Sequence, residues 1–190
     1  DNVIRFDRTG DWYYKTGMKH ARKQNTSTAI RYMVRASELD PGNREYYLQI
    51  ARLLNRNGEY AQSSKILLFL SAMLDAERPG GRDMMAESYW LLSQNSQETG
   101  EYEKSMYFAG KSLRVQPDGK FADECQSLVD YYRSCGYIEW DARWDAIIET
   151  CMLKSVGVYS EIYREELEIL MINIGYNALD ARGPEEGDFE

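Results

Sequence analysis

The chain has 190 residues, of which 43% are apolar, 28% are charged and only four are proline, so it can bury a core and is too apolar to remain disordered. Its formal net charge of −8 argues against general nucleic-acid binding, which needs clustered lysine and arginine. The charge is uneven, because residues 1–35 hold eight basic and three acidic side chains, a balance of +5 that leaves −13 for residues 36–190.

The sequence contains neither a membrane segment nor a metal-binding spacing. Its apolar runs at 66–70 and 169–174 fall far short of the roughly 18 residues that cross a bilayer. Three cysteines occur without a CxxC pair: Cys125, Cys135 and Cys151. The single histidine, His20, lies far from them in the chain. We therefore expect free thiols in a reducing, cytoplasmic compartment, no membrane insertion, and no metal or other cofactor.

The first helical segments are predicted between residues 11 and 41. Two sets of residues have the three- and four-residue spacing of a helical face: Tyr13, Thr16, Gly17 and His20, then Ala29, Met33 and Ala36. Pro41 ends the second segment, because proline cannot continue the hydrogen bonds of a helix. This part of the chain is therefore predicted to form a helix-turn-helix unit.

The same unit recurs twice. The letters Gly-Glu-Tyr begin a helical stretch at Gly58 and again at Gly100, and another helical stretch precedes each of them. The corresponding small residues are Gly17, Ala51 and Ser93, which are 34 and then 42 residues apart. We assign the excess of eight to a longer connection around ERPGGR at 77–82, where proline and glycine break the helix.

A 34-residue helix-turn-helix unit with this pattern of small and large positions resembles the tetratricopeptide repeat. The resemblance implies an all-α fold, a right-handed α-solenoid of about three helix-turn-helix repeats followed by about three further C-terminal helices. Small residues stand where helices are expected to cross: Gly17, Ala51 and Ser93 on the first helices, and Ala29, Ser63 and Ser105 on the second. The first repeat departs from the pattern at its turn, where Gln24 replaces glycine.

This interpretation divides the chain into an N-terminal extension at 1–10, three repeats at 11–118, a helical region at 119–180 that caps the array, and an acidic flexible tail at 181–190. Within the third part, helices are predicted over 121–135, 138–153 and 158–179. The last of these is apolar nearly all round in its second half, EILMINIGYNAL, so it must be buried on more than one side.

The resemblance also implies a binding surface. In tetratricopeptide arrays the first helices line a concave groove in which extended or helical peptides lie. The corresponding residues here are Tyr14, Met18, Arg22, Leu48, Arg52, Asn55, Arg56, Trp90, Gln94 and Gln97. In this set Tyr14, Leu48 and Trp90 form an apolar row. The arginines form a basic patch, and the alternative is that they are solvated surface.

We therefore expect a non-enzymatic interaction module or scaffold that binds a peptide or protein segment in the groove, and the basic patch favours an acidic one. The sequence has no GxSxG motif, no phosphate-binding loop and no metal-ligand spacing, which argues against an enzyme. Two alternatives remain open. The chain could be a structural protein that forms a homo-oligomer through residues 158–179, or the repeat part of a larger regulator.

Overall fold

The computed structural model describes residues 8–137 and Glu139. This part of the chain forms seven helices and contains no strand: α1 (Gly10–Arg22), α2 (Thr26–Leu39), α3 (Arg44–Arg56), α4 (Tyr60–Met73), α5 (Gly81–Glu98), α6 (Tyr102–Val115) and α7 (Ala122–Ser134). The prediction of an all-α helical repeat is confirmed. Every helix in these residues is too short or too polar to cross a membrane. The helices predicted over 138–153 and 158–179 and the tail at 181–190 lie outside the described residues.

The helices pack in consecutive pairs, α1 with α2, α3 with α4, and α5 with α6. Three residues join the helices of each pair, so the two helices must run in opposite directions. Each pair then packs against the next, through α2 with α3 and α4 with α5, and α7 packs against α6. The three pairs share an apolar core that includes Ile30, Leu54, Leu67 and Leu92, and a second, smaller cluster with Cys125 and Val129 lies between α6 and α7.

The two helices of each pair cross at small residues. The crossing partners are twelve positions apart in every pair: Gly17 with Ala29, Ala51 with Ser63, and Ser93 with Ser105. The Ser63 hydroxyl donates to the Ala51 carbonyl at 2.9 Å, and the Ser105 hydroxyl donates to the Ser93 carbonyl at 2.8 Å. A Cβ on Gly17 would lie 3.1 Å from the Ala29 carbonyl oxygen. The predicted small residues at the helix crossings are therefore confirmed in all three pairs.

The first helices share one way of ending. In α1, α3, α5 and also α7, the second residue after the helix has a left-handed backbone: φ is 63° at Gln24, 79° at Gly58, 77° at Gly100 and 86° at Gly136. In each turn the next amide donates to the carbonyl five residues back, as Glu59 does to Leu54 and Tyr137 does to Tyr132. Gln24 therefore occupies a position that favours glycine. Helix α7 ends with the geometry of a first helix.

The eight extra residues before Ser93 are distributed differently from the prediction. Helix α5 begins twelve residues before Ser93, whereas α3 begins seven residues before Ala51. Five of the eight residues therefore lengthen α5, and only three lengthen the connection. The helix can begin at Gly81 because Gly80 turns the chain in the left-handed conformation, with φ of 75°. The backbone at Gly81 lies so close to that of Asp75 that a Cβ on Gly81 would be 1.9 Å from the Asp75 carbonyl oxygen.

Candidate functional site

The first helices α1, α3 and α5 line a groove of about 460 Å³, and the connection between α6 and α7 closes one side of it. Six of the ten residues predicted for this surface line the groove: Met18, Arg22, Arg52, Asn55, Arg56 and Trp90. The other four do not: Tyr14, Leu48, Gln94 and Gln97. The repeat register thus brings part of the predicted set together.

The floor of the groove is apolar and aromatic. Met18 and Trp90 are half-buried against the core beneath them. The ring of Phe121, from the connection before α7, stacks on Trp90 with centroids 4.3 Å apart and planes inclined by 17°. The indole Nε1 of Trp90 is buried and has no hydrogen-bond partner among the described residues. The floor therefore offers a flat apolar and aromatic surface.

Three exposed cations surround this floor. Arg22 lies at the end of α1, Arg56 at the end of α3, and Lys120 beside α7. The Lys120 ammonium lies 5.0 Å from the centre of the Phe121 ring. No ion pair joins any of the three to another described residue. Within the described part of the chain, their positive charges are therefore not neutralised by an ion pair.

Arg52 differs from these three because its charge is already paired. Its Nε and Nη2 donate to the two carboxylate oxygens of Glu87 at 2.5 and 2.6 Å, and its Nη1 donates to Glu45 at 3.2 Å. Burial alone would lower the pKa of Arg52, but the hydrogen bonds and charges of Glu87 and Glu45 outweigh it and raise the pKa. The predicted basic patch is therefore wrong at Arg52, which binds α3 to α5.

Asn55 also serves the packing of the helices. Its amide donates to Asn95 Oδ1 at 2.7 Å, and the Asn95 amide donates to the hydroxyls of Ser63 at 3.0 Å and Ser64 at 3.1 Å. Asn95 is 1% exposed, so this network satisfies a buried amide that would otherwise be costly. The network ties α3, α4 and α5 together behind the groove.

The predicted apolar row of Tyr14, Leu48 and Trp90 does not form, because only Trp90 lines the groove. Leu48 is 1% exposed and belongs to the core, because the helix face that carries it turns under the neighbouring helices. Tyr14 packs on Tyr46, with ring centroids 5.0 Å apart. Burial, and then the charge of Glu45, raises the pKa of the Tyr14 hydroxyl.

The two glutamines predicted for the third repeat also lie elsewhere. Gln94 donates to Glu124 on α7 at 2.9 Å, so it links α5 to α7. Gln97 is half-buried outside the groove.

Sequence reasoning missed eight groove residues: Ala21, Gln24, Gln49, Leu53, Glu87, Leu91, Lys120 and Phe121. Lys120 and Phe121 directly follow the predicted stop VQPDG and lie in the connection before α7, so the register of the first helices does not reach them. Among the described residues, no group of His, Cys, Asp and Glu is arranged to hold a metal ion.

The comparisons with known proteins agree with this architecture. No family model matches the chain. The chain is similar to the TPR repeat-containing protein YvcD of Bacillus subtilis (strain 168), with 27% identity over 128 residues. The aligned part is 67% of this chain and 25% of that protein, so the chain matches about a quarter of the length of this relative. Together with three helix pairs that cross at the expected small residues, this similarity supports a tetratricopeptide-like helical repeat.

Proposed function

We propose that the chain is a protein-interaction module whose groove binds an acidic peptide or protein segment that also carries an apolar side chain. The observation that carries this proposal is the placement of three exposed cations, Arg22, Arg56 and Lys120, around the stacked rings of Trp90 and Phe121. Lys120 takes the role that the sequence assigned to Arg52. Acidic side chains of the ligand meet the cations, and its apolar side chain covers the rings.

The electrostatic pattern supports an acidic ligand over a basic one. The protein as a whole carries a charge of −8. A cluster of exposed cations makes the electrostatic potential at the groove more positive than the net charge would suggest. Complementary charges of this kind raise association rates and select among partners more than they raise affinity. The apolar floor supplies the attraction that salt does not screen, because burying apolar surface stabilises a complex independently of charge.

The test uses a blocked acidic peptide, acetyl-EEDFEE-amide, titrated into the full chain by calorimetry and tryptophan fluorescence. We expect saturable binding that weakens as ionic strength rises past about 0.15 M, where the Debye length is near 8 Å. The double variant Arg22→Glu/Arg56→Glu should weaken binding by at least about tenfold. The neutral peptide acetyl-QQNFQQ-amide should not compete.

The control variant is Arg78→Glu/Arg82→Glu, which makes the same change of charge on two exposed arginines outside the groove. It should bind the peptide as the unaltered chain does. Equal weakening in both double variants would mean that net charge alone governs binding. The groove would then no longer be assigned as the peptide-binding site. The same conclusion would follow if no saturable binding occurred up to about 1 mM peptide, the range of very weak complexes.

A further inference from the structure

We propose that the acidic segment at residues 184–190 of this same chain occupies the groove and competes there with outside ligands. The proposal rests on the proposed function, because it requires a groove that accepts acidic and apolar side chains. It adds regulation: the affinity for an outside partner is set in part by the chain itself.

The segment has the composition that the groove requires. Its sequence PEEGDFE contains four carboxylate side chains, one aromatic ring at Phe189, and no lysine or arginine. The groove presents three exposed cations and a pair of stacked rings. Carboxylates of the segment can meet the cations while Phe189 covers Trp90 and Phe121, since aromatic rings gain from packing beside one another.

Covalent attachment makes even weak binding by this segment effective. Between Glu139 and residue 184 lie 44 residues, and a chain of that length spans up to about 150 Å when extended, so its length does not prevent it from reaching the groove. A tethered segment acts at an effective concentration of up to about 1 mM. If its intrinsic dissociation constant is about 0.1 mM, it reduces the apparent affinity of an outside ligand by about tenfold.

The experiment compares the full chain with a full-length variant, Glu185→Gln/Glu186→Gln/Phe189→Ser, by titration of each with acetyl-EEDFEE-amide. We expect the variant to bind the peptide about tenfold more tightly. The control Glu77→Gln/Glu103→Gln neutralises two exposed glutamates outside the groove and should leave the affinity unchanged. Adding Arg22→Glu/Arg56→Glu should abolish the difference between the two chains.

The outcomes separate the two proposals. Equal affinity of the full chain and the variant for the peptide overturns occupation by residues 184–190 and leaves the proposed function intact. Absence of binding in both chains overturns the proposed function and this inference together. A difference that disappears when the protein is diluted shows that a second copy supplies the segment, which overturns the intramolecular form proposed here.

Discussion

At the scale of single residues, the helix crossings are the positions at which the side chain matters most for stability. Ala51 and Ser93 are completely buried where the second helix of their pair passes over them, and the hydroxyls of Ser63 and Ser105 bond directly to their carbonyl groups. A side chain larger than serine has no room at such a contact, because the opposing atoms include backbone that cannot rotate away.

We therefore predict that Ala51→Leu lowers the free energy of unfolding by about 1–3 kcal/mol, the usual cost of overpacking. Ala61→Leu makes the same substitution at an exposed position of α4 and should change it by less than about 0.5 kcal/mol. Urea denaturation of both variants measures the difference. Equal losses would contradict the assigned register.

In the turn after α1, a substitution should stabilise the protein instead of destabilising it. Gln24 has a φ of 63°, where three equivalent turns have glycine, and a side chain in that conformation costs about 1 kcal/mol. Gln24→Gly should therefore raise the free energy of unfolding by up to about 1 kcal/mol. The reverse change, Gly58→Gln, should lower it by a similar amount. Thermal or urea unfolding that moves both variants in the same direction would refute this account.

At the scale of helices, the pairing of α3 with α5 depends on Arg52. Its guanidinium bonds to both carboxylate oxygens of Glu87, and both side chains are mostly withdrawn from solvent, so the ion pair is screened less than a surface pair. Helix α5 is thereby attached to α3, although α4 separates the two in sequence.

A double-mutant cycle with Arg52→Met and Glu87→Gln should give a coupling free energy of about 1–2 kcal/mol. The control cycle uses Arg133 and Asp130 on α7, which also form a hydrogen-bonded ion pair but are more than half exposed. Their coupling should be below about 0.5 kcal/mol. A larger coupling in the control pair would show that burial does not decide the strength of these bridges.

The helix pairs could be predicted because their signals are local and repeated. Small residues, three-residue turns and terminating prolines determine where a helix crosses and ends, and these signals act within a few positions of the chain. The ion pair between Arg52 and Glu87 could not be predicted in this way, because it depends on the position of α5 along the axis of α3. The early start of α5 was missed for a related reason: proline and glycine at 79–81 precede a helix here and do not interrupt one.

The groove was predicted only in part for the same physical reason. Helical spacing identifies a face, but it does not tell how much of that face the next helix covers. Leu48 was assigned to the surface and lies in the core, whereas Phe121 was assigned to a capping helix region and forms part of the floor.

At the scale of the whole molecule, stability should depend on pH on the alkaline side. Burial raises the pKa of the Cys125 thiol, and burial also raises the pKa values of Tyr46 and Tyr132. The folded protein therefore holds these protons more tightly than the unfolded chain does. This stabilisation is complete below the ordinary thiol pKa of about 8.5 and is lost as pH rises through the higher folded value. The tyrosines should extend the loss beyond about pH 10.

The measurement is urea denaturation at a series of pH values from about 7 to 10, where the thiols titrate. We expect the free energy of unfolding to fall above about pH 8.5, and Cys125→Ser to reduce that slope. Cys135→Ser is the control, because Cys135 is exposed and lies at the opposite end of α7. A slope that Cys125→Ser leaves unchanged, or that only Cys135→Ser reduces, would assign the pH dependence to another group.

The left-handed turn at Gln24 has a consequence for anyone who wishes to build regular arrays from this protein. Consensus design averages the repeats and would write glycine at this position, as the other turns have, and the resulting scaffold would be easier to fold. Gln24 is also a wall of the groove, however, and glycine has no side chain to contact a ligand. Regularising the repeats would therefore make an idealised scaffold that has lost part of its recognition surface. At this turn a designer must choose between easier folding and a complete groove.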